Sequence, residues 1–282
     1  FINNLNTQIN SHQSPVLTVT SYITNLLAKK VGQSKNKVIF SGVGSDELFS
    51  GYYDYGARWL YEMKTKKNFK TKLKEWLQGQ GKYIENPILI DILKNNLKPS
   101  KKNLFHGEQK FKQLMNKRYI NTNYRSLKYS NSNLRNQMQT DLFSEVVPIV
   151  LNQDDLNYMD NSVENRSPFL DRNLVEFAYT IPNNLLIQKG MSKYILRNIG
   201  KKYLPKIIYQ DKRKIGFNAS INSLFDLRNK SNINFLLDEG KIFKYVNRKK
   251  FESFLKNENF SVSSFSKFLF SFINLKIFLE KC

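Results

Sequence analysis

The sequence predicts an α/β fold that is predominantly helical, and two observations carry that expectation. Apolar residues recur at helical spacing through most of the chain, as Ile23, Leu26 and Leu27 do in SYITNLLAKKV (21–31). One short apolar run, Val38 to Phe40, instead runs straight into a glycine-rich turn, SGVGSDELFSGYY (41–53), and reads as a strand entering a loop. At 282 residues, with 40% hydrophobic and 13% aromatic side chains, the chain can bury a real core in one large or two small domains.

Taken in order, residues 21–31 predict a helix, polar GQSKNK a loop, and 38–40 the strand. Residues 53–78 and 87–97 have the pattern of amphipathic helices with lysine-rich outer faces. The polar stretch RYINTNYRSLKYSNSNLRNQ (118–137) reads as a mobile loop or an insertion. Helices broken at an irregular loop, ENRSPFLD, are expected across 141–182, another helix over 192–204, and a packed helix over 261–281, where Ser, Asn and Lys interrupt the apolar residues.

Composition excludes several function classes. The single cysteine, Cys282, ends the sequence, so no intrachain disulfide or cysteine-rich metal site is possible within it. His12 and His106 lie far apart with no ligand spacing, which argues against zinc and for ordinary surface or core histidines. No apolar run approaches the roughly 18 residues that span a bilayer, and no signal-peptide pattern is present, so a cytoplasmic location without membrane contact is expected. The net charge of +22 invites a nucleic-acid reading. Lysine far outnumbers arginine, however, and the basic clusters KTKKNFKTKLK (64–74) and KPSKK (98–102) stand beside no nucleic-acid-binding signature, so solvated surface is the expectation. A first residue of Phe, not Met, reads as a piece of a longer protein.

The glycine turn is where chemistry is expected. Ser41, Gly42, Val43, Gly44 and Ser45 follow the strand with little side-chain obstruction, and a turn of that kind lets a nucleotide or phosphate approach the backbone. The adjacent carboxylates Asp46 and Glu47 repel phosphate unless Mg²⁺ bridges them, since that ion is held by one or two carboxylates together with substrate phosphates. The plain alternative, Asp46 as a helix cap, stays open. In SVENRSPFLD (162–171), Glu164, Arg166 and Asp171 share a proline-containing segment; a structural ion pair and an N-cap are the plain alternatives there. In KGMSKYILR (189–197), Lys193 and Arg197 stand one turn apart with Lys201 a turn further, a repulsion that an anion along that face would relieve.

Together these segments resemble the synthetase domain of glutamine-dependent asparagine synthetases, from about residue 12 to residue 220. SGVGSDELFSGY is similar to that family's Ser-Gly-acid-Gly-x-Asp-Glu-x-Phe-x-Gly-Tyr signature, and DDLNYMDNSVENRSPFLD to its Asn-x-Met and Glu-x-Arg-x-Pro-Phe-Leu-Asp segment. SKYILR resembles its Lys-x-x-Leu-Arg helix, and KRKIGF (212–217) its Arg-Arg-Lys-x-Gly-Phe motif. The resemblance implies the C-terminal part of an adenine-nucleotide α-hydrolase-like (HUP) domain over 1–220, with one or two parallel strands of an incomplete sheet, and a helical extension over 221–282 packed on the same domain. It further implies a ligase in which ATP adenylates a carboxylate, aspartate or another acid, and ammonia from glutamine displaces AMP. The alternative is an inactive remnant that binds a partner.

Carried over by residue, the resemblance implies that Ser41, Gly42 and Gly44 contact ATP and that Asp46 helps to hold Mg²⁺. It implies that Lys193 neutralises charge developing on the phosphates and the reacting carboxyl, and that Glu164, Arg166 and Arg197 orient substrate or support the site. A glutaminase domain, upstream in the same chain or supplied in trans, is the implied partner, with a homodimer as a further expectation. Two features depart from the family. The pyrophosphate loop Ser-Gly-Gly-x-Asp-Ser and the glutaminase cysteine are not among these residues, so the chain as it stands is expected to be catalytically incomplete. Val43 stands where the family usually carries Glu or Asp and related β-lactam synthetases carry Tyr. Valine can neither transfer a proton nor position an amine, so an acceptor other than free aspartate is expected, such as a sugar acid of a surface polysaccharide.

Overall fold

The computed structural model describes residues 1–95, 97, 108–117, 127–217, 219–260 and 263–281. Helix α1 (Ile2–His12) is followed by α2 (Val19–Gln33), which starts where the Thr18 side chain accepts the Ser21 N–H at 3.1 Å and so satisfies one of the orphan donors of a helix N-terminus. Strand β1 (Val38–Phe40) then delivers the chain to the glycine turn and the short helix α3 (Ser45–Phe49). The region expected as one helix over 53–78 forms two, α4 (Tyr53–Met63) and α5 (Phe69–Gln78). They are separated at the lysine-rich polar stretch 64–68, which offers no apolar residue to bury. Helix α6 (Pro87–Lys94) is capped by Asn86, whose Oδ1 accepts the Ile88 N–H.

After α7 (Glu108–Leu114), the expected loop at 118–137 is corrected in its second part; residues 118–126 lie outside the described residues. Ser132 caps α8 (Asn133–Thr140), and Leu134 and Met138 are fully buried, so two apolar residues one turn apart outweigh the polar composition around them. One π-helical turn, Asp141–Glu145, leads into α9 (Val147–Met159). The irregular loop expected at ENRSPFLD is likewise corrected: Glu164–Arg166 form β2, parallel to β1 and in the register Val38 to Glu164, Ile39 to Asn165 and Phe40 to Arg166. Three polar residues give no strand signal of their own. The strand forms because the backbone of β1 supplies the ladder, continued by the Glu164 N–H to Lys37 C=O bond at 2.7 Å and the Ser41 N–H to Arg166 C=O bond at 2.8 Å. Asp171 then caps α10 (Arg172–Thr180), accepting from the Leu174 N–H at 3.1 Å.

The remaining helices are α11 (Asn183–Leu186), α12 (Tyr194–Gly200), α13 (Lys206–Tyr209), α14 (Lys230–Leu237), α15 (Arg248–Asn257) and α16 (Ser263–Leu279). The fold is therefore α/β and mostly helical, with a two-stranded parallel sheet among the described residues. No helix among them is long and apolar enough to cross a membrane.

Two main cores divide the chain. The first joins both ends of the sequence: Leu5 and Ile9 of α1 and Tyr22 of α2 pack with Phe225, Phe251, Leu269 and Ile273. Aromatic rings dominate it, with the Phe251 and Phe272 centroids 3.9 Å apart and Phe111 stacked on Phe268 at 4.5 Å. The helices after residue 220 are thus fastened to the beginning of the chain, and the buried Asn274 side chain accepts the Val16 N–H and donates to the Val16 C=O. The second core, built from Leu48, Tyr55, Trp59, Trp76, Leu134 and Ile187 among others, lies under α3 and supports the glycine turn.

Between α1, α2 and α9 sits a polar hub. Asn157, completely buried, accepts from the Gln8 amide at 2.8 Å and donates to the Ser21 C=O at 3.1 Å. This is the asparagine of the Asn-x-Met motif, and what it does here is hold three helices together. His12 is partly buried beside this region, and burial pushes its imidazole below the usual value in spite of nearby Asp160; His106 lies outside the described residues.

Candidate functional site

The site grows from the carboxyl end of β1, the place where open parallel sheets bind ligands. Ser41 spends its N–H on β2 and shares a 2.9 Å hydrogen bond between its hydroxyl and that of Ser167. Gly42 faces open space: a Cβ added there would meet nothing within 4 Å. Gly44 turns the chain with φ +91°, and a Cβ there would strike the Leu170 side chain at 2.4 Å, so glycine is required on both counts. Helix α3 starts at Ser45 and ends at Phe49, followed by Ser50, a fully buried residue in the left-handed region with φ 58°. Gly51 follows, its N–H bonded to the Asp46 C=O at 2.8 Å.

Asp46 is the centre of the arrangement. The ammonium of Lys193 lies 2.9 Å from its Oδ1 and that of Lys214 lies 3.0 Å from its Oδ2. Lys193 also donates to the Ser45 hydroxyl at 2.8 Å. Burial pushes the Asp46 carboxyl upward, but the two ammonium groups outweigh it and hold the carboxyl below its ordinary value. Lys193 reaches the site from the residue preceding α12, with φ 52°, its N–H bonded to the Phe49 C=O at 3.1 Å. Two non-glycine residues thus hold left-handed backbone here, Ser50 after Phe49 and Lys193 bonded to the Phe49 carbonyl, and such backbone costs are commonly held where a site demands them.

Beside Asp46, Glu47 is 3% exposed and accepts a 2.6 Å hydrogen bond from the Tyr52 hydroxyl. Burial raises its carboxyl above the usual range. Behind it, Tyr55 donates to Asp141 at 2.6 Å. A cavity of about 210 Å³ opens against this face, with Gly42, Val43, Gly44, Asp46, Glu47 and Tyr52 on one wall and Val146, Val147 and Val150 on the other. A larger hollow of about 520 Å³, between Trp59, Met63, Lys72 and Gln188, is lined by none of the turn residues or the lysines that hold Asp46.

Of the residues singled out in the sequence, the structure therefore gathers Gly42, Gly44 and Asp46 on one cavity wall, with Lys193 paired to Asp46 and Ser41 at the strand end. Arg197 stands behind Lys193. Its guanidinium donates to the carbonyls of Ser192 at 2.9 Å and Tyr209 at 3.1 Å, and to that of Asp211, so it clasps the Lys193 turn to the segment leading to Lys214. Glu164 and Arg166 pair with each other at 2.7 Å on β2, both side chains more than half exposed, and Asp171 is an N-cap. Glu47 stands beside Asp46 as the acid pair predicts, whereas Lys214 and Tyr52 have no signal of their own within KRKIGF and the turn. A tertiary contact between a lysine and a carboxylate in the other half of the chain leaves no mark in either local pattern.

Asp46 supplies one ionised carboxylate, and no group of three or more metal-ligating side chains occurs among the described residues. Both oxygens of that carboxylate are paired with ammonium groups, so it fits a phosphate-borne Mg²⁺, which asks one or two carboxylates of the protein, only with a lysine moved off it, and it does not fit an all-protein metal cage.

Comparison with known proteins bears on the family of the whole chain. The family model for asparagine synthase matches residues 1–280. The chain belongs to the asparagine synthase family. Among curated relatives, the glutamine-hydrolysing asparagine synthetase 1 of Bacillus subtilis is 25% identical over 226 residues, which is 75% of this chain and 35% of that protein. The asparagine synthase-family chain therefore spans about a third of the length of the relative it matches.

Proposed function

We propose that this chain forms the synthetase part of an ATP-dependent, amide-forming ligase. In that reaction a carboxylate oxygen attacks the α-phosphorus of ATP, pyrophosphate leaves, and ammonia then displaces AMP from the acyl adenylate. The observation that carries the reading is the pair of ammonium groups, Lys193 and Lys214, converging on Asp46 at the end of a parallel strand and beside a glycine-lined cavity. Adenylation concentrates negative charge on the triphosphate and the reacting carboxyl, and preorganised cations in a partly dry site stabilise that charge well.

Each residue's part follows from its position. Gly42 leaves the cavity floor open to a phosphate or ribose, and Ser41 fixes the strand end beneath it through β2. Lys193, held by Ser45 and Asp46, meets the anionic oxygens. Arg197 positions Lys193 without reaching the cavity itself. Asp46 would hold Mg²⁺, which supplies charge neutralisation on the phosphates. Val43 lines the cavity and offers no proton, so the acceptor acid is one whose amination needs no carboxylate at that position. Glutamine as nitrogen source, a glutaminase domain in cis or in trans, and a cytoplasmic, dimeric enzyme complete the proposal.

The test is pyrophosphate release from ATP by the full-length protein, screened over carboxylate acceptors with and without glutamine, beside Asp46→Asn and Lys193→Ala. Acceptor-dependent release that both substitutions abolish supports the reading and names the acid. A folded protein that binds no ATP and releases no pyrophosphate with any acceptor overturns it. Normal turnover of free aspartate would instead overturn only the argument from Val43.

A further inference from the structure

We propose that the hollow of about 520 Å³ between α4, α5 and α11 is a binding site for an acidic sugar, a polyhydroxylated ring carrying a carboxylate. None of the turn residues lines it, nor does either lysine on Asp46, so the proposal stands apart from the adenylating reading. Its volume falls within the range of about 300–1,000 Å³ usual for small-ligand sites. Three kinds of surface meet in it, and each suits one part of such a ligand.

One surface is apolar. Trp59, Met63 and Ile187 present carbon to the hollow, and Trp59 and Ile187 belong to the second core, which holds them in place. An aromatic edge beside aliphatic carbon suits the C–H face of a sugar ring. Side-chain amides form the second surface: Asn68, Asn183, Asn184 and Gln188. An amide offers both donors and an acceptor, the combination that hydroxyl groups pair with. Asn68 stands at the N-cap of α5 without capping it, and the side chains of Asn68, Asn184 and Gln188 have no hydrogen-bond partner among the described residues. Asn183 is already oriented, because its Oδ1 accepts from the Arg135 Nε at 2.7 Å and its amino group is left to donate outward. Glu62 adds a fixed acceptor. Its Oε1 takes the Ser132 hydroxyl at 2.8 Å and the Leu134 N–H at 3.0 Å, while its other oxygen has no partner among the described residues.

The third surface is cationic. Lys66 has no ion-pair partner among the described residues, and Lys72 pairs at 3.0 Å with Glu75, which does not line the hollow. Two ammonium groups thus face the hollow against the one carboxylate of Glu62, and a ligand carboxylate would receive charge-assisted hydrogen bonds from them. Alternatives use the surfaces less well. A purely apolar ligand would strip water from the amides and ammonium groups without replacing it. A bare phosphate would engage the lysines and leave the Trp59 side idle.

The experiment is calorimetric titration of the full-length protein with D-glucuronate, and with D-glucose as its neutral counterpart, using Lys66→Gln and Asn184→Ala beside the unsubstituted protein and a thermal melt of each. Glucuronate is expected to bind with a dissociation constant of about 1 mM or tighter, and glucose about tenfold more weakly or worse. Both substitutions fall at exposed positions and are expected to weaken glucuronate binding about fivefold or more. Each variant should melt within about 4 °C of the unsubstituted protein. Amine labelling supplies a readout that needs no variant: glucuronate should shield Lys66. No glucuronate binding at about 20 mM, binding that both substitutions leave unchanged, equal binding of glucose, or labelling of Lys66 that glucuronate leaves unchanged overturns the inference. Each of those results leaves the adenylating reading standing, since that reading turns on ATP and the residues around Asp46.

Discussion

Gly51 and Asp46 approach so closely that a Cβ on Gly51 would stand 1.5 Å from Oδ1 of Asp46, and 2.6 Å from Cε of Lys193. The missing side chain of one residue is the space in which the charged groups of two others meet. Nothing with a β-carbon fits there unless the ion pair opens. Gly51→Ala should therefore expel the Asp46 carboxylate, which is 18% exposed and has a route outward, and displace Lys193 with it. The expected result is a protein that folds but loses about 10²-fold or more in pyrophosphate release, since displacements of about 1 Å at a reacting centre carry losses of that size. An alanine variant with normal activity would show that the ion pair is dispensable.

Arg197 offers a contrast, because its work is on backbone and not on ligand. Three carbonyls, those of Ser192, Tyr209 and Asp211, share one planar guanidinium, and burial pushes that group below its ordinary value in spite of Asp211. Arg197→Lys keeps a charge but cannot reach three acceptors in a fork. Both Arg197→Lys and Arg197→Ala are expected to cost about 2–4 kcal/mol of stability, measured by denaturant titration. In the full-length enzyme they should also weaken the Lys193 and Lys214 placements together. A variant that loses activity with unchanged stability would instead mark Arg197 as a ligand-contacting residue.

The sequence made the glycine turn legible because its demands are local: a strand, a left-handed glycine at Gly44 and an acid pair appear within nine residues of one another. Lys193 was legible for a similar reason, through the like charges that follow it. The strand Glu164–Arg166 was not, since its three residues have no apolar alternation and its ladder comes entirely from β1. The split of 53–78 into two helices falls at the polar stretch 64–68, and the helix starting at Asn133 rests on Leu134 and Met138, whose burial is decided by what packs on them. Lys214 was missed because the contact that gives it meaning, Asp46, lies in the other half of the chain.

Asn157 shows how a motif residue can serve the fold. With its side chain completely buried, it bonds Gln8 and the Ser21 carbonyl and hydroxyl, joining α9 to α1 and α2. Asn157→Ala would remove three hydrogen bonds from a buried place, leaving Ser21 only its bonds to Gln153 and Gln8. A loss of about 2–3 kcal/mol is expected, with pyrophosphate binding at low temperature little changed. Loss of binding at full stability would assign Asn157 to the site instead.

Asp154, one turn before Tyr158 on α9, carries a carboxyl that burial pushes up to about 6, with Asn165 donating at 3.4 Å as weak compensation. The sign of its effect is fixed by that direction. An acid with a raised value in the folded state holds its proton more tightly there than in the unfolded chain. Folding is therefore unpenalised below about pH 4, where both states are protonated, and the penalty grows between about pH 4 and 6 and is complete above that. Asp154→Asn removes the ionisation while keeping the shape. It should raise stability by about 1–2 kcal/mol at pH 8 after allowance for partial exposure, and the gain should shrink to nothing by about pH 4. Denaturant titrations of the two proteins across pH 4 to 8 measure the difference directly. A gain that did not vary with pH would locate the effect in packing around Asn165, and a loss at pH 8 would mean that the ionised carboxylate has a favourable partner near β2.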